Sequence, residues 1–60
     1  MIKVNKVREM AKAFRKIADL YEEMANIEEN KELNAAEKEA LLDDLIGKIL
    51  VQTLKVEKLK

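Results

Sequence analysis

Residues Val7–Ile27 read VREMAKAFRKIADLYEEMANI and divide into three sevens in strict register. With Val7 at heptad place a, the a and d places hold Val7, Met10, Phe14, Ile17, Tyr21 and Met24. Place e is Ala in all three sevens, and place g holds Ala13, Leu20 and Ile27. At about 100° per residue these four places cover an arc of roughly 160°, and the charged residues fill the remainder. Such a division marks an amphipathic helix. A two-helix seam needs only a and d, so a face this broad asks for more than one neighbour.

The spacing predicts a first helix over about 5–29, with Asn5 as its N-cap. Asn30 can end it, because Asn tolerates the left-handed conformation common just past helix C-termini. Asn34 and Glu37 form a capping-box pair that opens a second helix near Ala35. Leu42, Leu45, Ile46, Ile49, Leu50, Thr53 and Leu54 keep helical spacing across Gly47, which predicts one helix over about 35–56. Gly47 is either tolerated, at about 1 kcal/mol relative to Ala, or marks close approach by a neighbour. The connection between the helices is short, so they are expected to run antiparallel. The expected fold is all-α: a single small helical domain over 1–60, built as an antiparallel hairpin. The competing reading pairs short terminal strands, 1–4 and 49–56, because ILVQTLKV is rich in β-branched residues and MIKV alternates.

Composition narrows the chemistry. The chain has no Cys, no His and no Ser, and Thr53 is its only aliphatic hydroxyl. Disulfides, thiolate metal sites and Ser–His or Cys–His nucleophiles are therefore excluded. Glu, Asp, Lys, Arg and Tyr21 remain, and a concave active site built from these on 60 residues is not expected. The reading is non-enzymatic, with no catalytic residue, no metal and no cofactor. Glu22, Glu23, Glu28, Glu29 and Glu32 crowd the connection, yet they lack the Gly-centred loop of a calcium site and read as a solvated acidic turn. No run approaches the ~18 apolar residues of a membrane span. The absence of Cys and of an unbroken apolar leader leans towards the cytoplasm.

Two apolar stripes on one small hairpin imply assembly. Leu41, Leu42, Leu45, Ile46, Ile49, Leu50 and Leu54 span more than half of the second helix, and one hairpin cannot cover both stripes. A buried Leu, Ile or Phe is worth about 1.5–3 kcal/mol over an exposed one. The simplest closed solution is a homodimer of hairpins, a four-helix bundle; a higher oligomer is the alternative. The expected interface draws on Val7, Met10, Phe14, Ile17, Leu20, Tyr21, Met24, Leu42, Leu45, Ile46, Ile49 and Leu50.

The zero net charge conceals a sorted arrangement. Residues 1–18 carry six bases against Glu9 alone, residues 19–44 carry ten acids against Lys31 and Lys38, and residues 45–60 are basic again. The first helix thus places cations near its N-terminus and acids near its C-terminus, against the macrodipole. An antiparallel dimer would lay the acidic turn of one hairpin beside the basic open end of the other. The rival reading gives the basic end an anionic ligand, with Lys6, Arg8, Lys12, Arg15 and Lys16 as contacts. No aromatic residue stands among them for base stacking and no Gly-rich phosphate loop exists, so a nucleic acid or nucleotide is not favoured. A basic amphipathic helix could also lie on an anionic membrane, but its heptads continue unchanged into an acidic segment. The expected function is that of a small regulatory protein: a self-associating helical hairpin that docks a macromolecular partner, with a protein partner favoured. The alternative is an anion-binding module.

Overall fold

A computed structural model of the chain describes residues 3–60. It is a helical hairpin: α1 spans Val4–Glu29, α2 spans Ala35–Leu59, and the two pack against each other. Among the described residues there is no strand, and 49–56 lies wholly within α2. The terminal-strand alternative therefore fails for 49–56; residues 1 and 2 of its other half lie outside the described residues. β-branched side chains are only weakly disfavoured in helices, and the seam formed by the C-terminal third of α2 outweighs that preference.

The start of α1 differs from expectation. Asn5 is inside the helix, and the N-cap is Lys3, whose side chain caps nothing. Asn30 does close α1, but with φ −73° and ψ 114°, extended rather than left-handed. Its Oδ1 accepts from the Glu32 N–H at 2.8 Å, a side-chain turn that carries the chain out of the helix. The start of α2 follows the capping-box reading. Asn34 Oδ1 accepts from the Glu37 N–H at 2.8 Å, and Glu37 Oε1 accepts from the Asn34 N–H at 3.1 Å. Asn34→Ala is expected to cost about 1 kcal/mol, measured as a lowered urea midpoint at unchanged slope.

The seam between the helices is not the a/d pair of α1. Ala13 and Leu20 are buried, while Met10, Ile17, Met24 and Ile27 are half-buried. These are the d and g places, spaced alternately by three and four. On α2 the matching row is Lys38, Leu42, Leu45, Ile49, Gln52, Val56 and Leu59, all buried or half-buried. Its spacing alternates four and three without a break, a heptad seam of the same period. Val56 is among the buried residues and Leu59 completes the row, so the helix runs to Leu59 rather than to 56. Ile46, Leu50 and Leu54, read from sequence as part of the same stripe, are exposed instead.

Lys38 resolves one of the charge penalties. The last turn of α1 carries no base, but Lys38 Nζ, reaching from α2, donates to the Glu28 carbonyl oxygen at 2.9 Å. This brings a cation to the electronegative end of the α1 dipole. On α2 the dipole is matched by its own residues, Glu37 in the first turn and Lys58 in the last. Thr53, exposed within α2, donates its hydroxyl to the Ile49 carbonyl at 2.9 Å.

Candidate interaction surface

Burial in the hairpin is thin. Among the described residues, Ala13, Leu20, Leu45 and Val56 are the buried apolar ones, and no large side chain is fully enclosed. The radius of gyration is 14.4 Å with extents of 48 × 15 × 9 Å, against about 10 Å expected for a compact 60-residue domain. The accessible surface is 4974 Å², whereas a compact monomer of this mass exposes about 4,000 Å².

The apolar residues left outside are ordered. On α1 they occupy places a and e: Val4, Val7, Phe14 and Tyr21 are exposed, Ala18 lies between the two aromatics and Ala25 follows Tyr21, both exposed, and Ala11 is half-buried. Phe14 is 53% exposed and Tyr21 56%. This is a second stripe of heptad period beside the d/g seam. On α2, Ile46 and Leu50 form the corresponding exposed group, Leu50 at 58%; Leu54 is exposed on the back of the helix, and Leu41 and Val51 are exposed towards the other side.

Both groups lie on one side of the hairpin. Stepping around α1 from its seam, place d is followed by a and then e. α2 runs the other way, so stepping around it from Leu42 and Ile49 towards Ile46 and Leu50 comes out on the same side. The shallow grooves between the helices agree. One is lined by Glu28, which continues the Val7–Phe14–Tyr21 series, with Leu42, Asp43 and Ile46 of α2. The other, on the opposite side, is lined by Glu9, Lys12 and Ala13 with Gln52, Lys55 and Lys58.

The twelve residues expected at an interface thus divide in two. Leu20 and Leu45 are buried within the hairpin, and Met10, Ile17, Met24, Leu42 and Ile49 are half-buried along its seam. Val7, Phe14, Tyr21, Ile46 and Leu50 face outward. Gln52, Val56 and Leu59 belong to the seam and were missed. The signal was present in their unbroken three-four spacing, but a polar Gln within it and a wider apolar run beside it obscured the row.

The basic residues remain exposed: Arg8, Lys12, Arg15 and Lys16 spread over the polar side of α1, and Lys6 stands at the open end of the seam row. Of Lys6, Arg8, Lys12, Arg15 and Lys16, Lys12 lines a groove of ≈ 460 Å³ where Lys55 and Lys58 approach from α2. Lys12 also pairs with Glu9 at 3.3 Å. The other ion pairs among the described residues, Lys48–Asp44 and Lys60–Glu57, are likewise within single helices. No ion pair joins α1 to α2 among the described residues. Like charges gather at each end of the hairpin, as the sorted sequence implies. Among the described residues no group of three or more acidic side chains is arranged to hold a metal ion, and no helix is long and apolar enough to cross a membrane.

Gly47 has open space where a Cβ would stand, with nothing within 4 Å. No neighbour among the described residues requires a glycine there. Gly47→Ala is expected to stabilise the helix by about 1 kcal/mol, which for a domain of this size raises Tm by about 4–8 °C. Calorimetry checks it, and a lowered Tm would show that a second chain approaches the Gly47 backbone.

Comparison with protein-family models, with curated proteins and with solved structures gives no match for this chain.

Proposed function

We propose that the chain is a non-enzymatic interaction module: a helical hairpin that self-associates into a four-helix bundle and, so assembled, docks a macromolecular partner. The supporting observation is the apolar face shared by the two helices on one side. Val7, Phe14 and Tyr21 of α1 and Ile46 and Leu50 of α2 share it, and the surface in excess of a compact monomer is about 1,000 Å². A specific interface of ordinary size covers about 800 Å² per partner, so one copy of the hairpin is enough to occupy the face. Burying it would also supply the core that a chain of this length lacks. Sedimentation equilibrium from nanomolar to micromolar concentration is the test. A concentration-dependent dimer is expected; a folded monomer throughout overturns the reading.

The second reading rests on the opposite side. Lys12, Lys55 and Lys58 converge on one groove with Glu9 as the only acid in its lining, an arrangement suited to an anion. Titration with an oligonucleotide or a nucleotide against salt tests it. Binding that weakens as salt rises supports this reading, and absence of binding at low salt removes it.

A further inference from the structure

We infer that the a/e stripe of α1 is the seam of self-association, and that two α1 helices run antiparallel across it with Arg15 opposite the partner's Glu22 and Arg8 opposite the partner's Glu29. This rests on the self-association proposed above and adds orientation and register to it.

The observation behind it is the row of residues beside the exposed stripe. With α2 covering the d side of α1, the flank open to solvent is place b. Place b reads Arg8, Arg15, Glu22, Glu29: two bases, then two acids, one per heptad. All four are exposed, and none belongs to the ion pairs seen within the hairpin. In an antiparallel pair of helices, the positions flanking the seam on one side face their own kind from the partner. A row that changes sign at its midpoint is self-complementary about a two-fold axis and self-repelling when parallel. Flanking charges of this sort set partner and orientation.

Shape agrees with charge. When Arg15 stands opposite the partner's Glu22, the nearest e-place residue to Phe14 across the seam is the partner's Ala25, and to Tyr21 the partner's Ala18, each within a turn along the axis. Each exposed aromatic then meets a small side chain, and Ala lets the backbones approach. On α2, Ile46 is level with the same axis and meets its own copy. The arrangement also sets the acidic turn of one hairpin beside the basic open end of the other. The competing registers lack this agreement. Sliding the pair by one heptad brings Arg15 against its own copy, and a parallel pair matches Arg with Arg and Glu with Glu along the whole row.

The test is sedimentation equilibrium of the full chain as wild type, Arg15→Glu, Glu22→Arg and the double variant. Both positions are exposed on the helix surface, and circular dichroism verifies that each variant is folded. Each single reversal is expected to weaken the dimer by about tenfold or more, with the double variant restoring it. Arg15→Gln and Glu22→Gln provide milder losses should a reversal fail to fold. A dimer that Arg15→Glu strengthens or leaves unchanged overturns the register while self-association stands. A wild-type chain that is monomeric at every concentration removes self-association itself. The absence of native Cys permits a second measurement. Arg8→Cys and Glu29→Cys chains are expected to cross-link with a short bis-maleimide when mixed and not when alone. Efficient cross-linking of either alone overturns the antiparallel register.

Discussion

A chain carrying Leu20→Ala is expected to lose about 2–5 kcal/mol of stability, the usual range for emptying a buried Leu site. Leu20 is the most enclosed of the core residues, 3% exposed, in the middle of the d/g seam. A chain of this length has about 3–9 kcal/mol to lose, so one substitution removes a large share of it. The measurement is urea unfolding followed by far-UV circular dichroism at a fixed protein concentration. Leu54→Ala removes the same atoms from a side chain that is 60% exposed, and its cost is expected to stay within about 0.5 kcal/mol. Equal losses at the two sites would contradict the placement of the seam.

Phe14→Gln is expected to leave the hairpin folded and to weaken the dimer about thirty- to a hundredfold. Its ring is 53% exposed in the hairpin, so only about half of its burial energy remains to be gained in assembly. That half is about 1–1.5 kcal/mol per copy, and the two-fold axis counts it twice. Each 1.4 kcal/mol is a factor of ten in Kd. Gln has good helix propensity, which keeps α1 itself intact. Sedimentation of the variant beside the wild type gives the ratio directly. An unchanged Kd would place Phe14 outside the interface and move the apolar contact to α2. A loss of helix in the isolated chain would show instead that Phe14 belongs to the internal core.

The two substitutions differ because the heptads of α1 carry more than one stripe. Met10, Ile17 and Met24 at d can form a seam with a or with g, since both choices keep a three-four spacing. The a/d choice would have buried Phe14 and Tyr21 together, with a phenol hydroxyl to satisfy. The d/g choice buries Leu20 and Ala13 and leaves the aromatics on the outer face, each separated from the next by Ala. The four-in-seven pattern is therefore two adjacent stripes, of which the hairpin buries one. On α2 the same ambiguity had a different source. Ile46 and Leu50 are as apolar as Leu45 and Ile49, and a row completed by Gln52 looks weaker than one completed by Leu54. Antiparallel pairing along the full length of both helices favours the row that extends unbroken to Val56 and Leu59.

Local signals were readable because they are settled within a few residues. The Asn34–Glu37 box depends on two hydrogen bonds three residues apart, and the short turn follows from the caps on either side. The start of α1 was misplaced by the same local logic. Asn5 is a good cap in isolation, but the helix begins at Val4 without using its side chain, and a helix end frays or extends by a residue at little cost.

The sequence by itself determined that the chain is two amphipathic helices joined by a short capped turn, with no serine, thiol or imidazole chemistry available and with its charges sorted by region. Those properties follow from residue identity and from a period of 3.6, which needs no knowledge of neighbours. Only the tertiary structure decided which stripe of each helix is internal, that α2 continues to Leu59, that Lys38 reaches back to the end of α1, and that both unburied stripes fall on one side. These depend on the rotation of each helix about its own axis. Rotation is set by side chains packing between the helices, a balance that equally apolar stripes leave open until the helices are brought together.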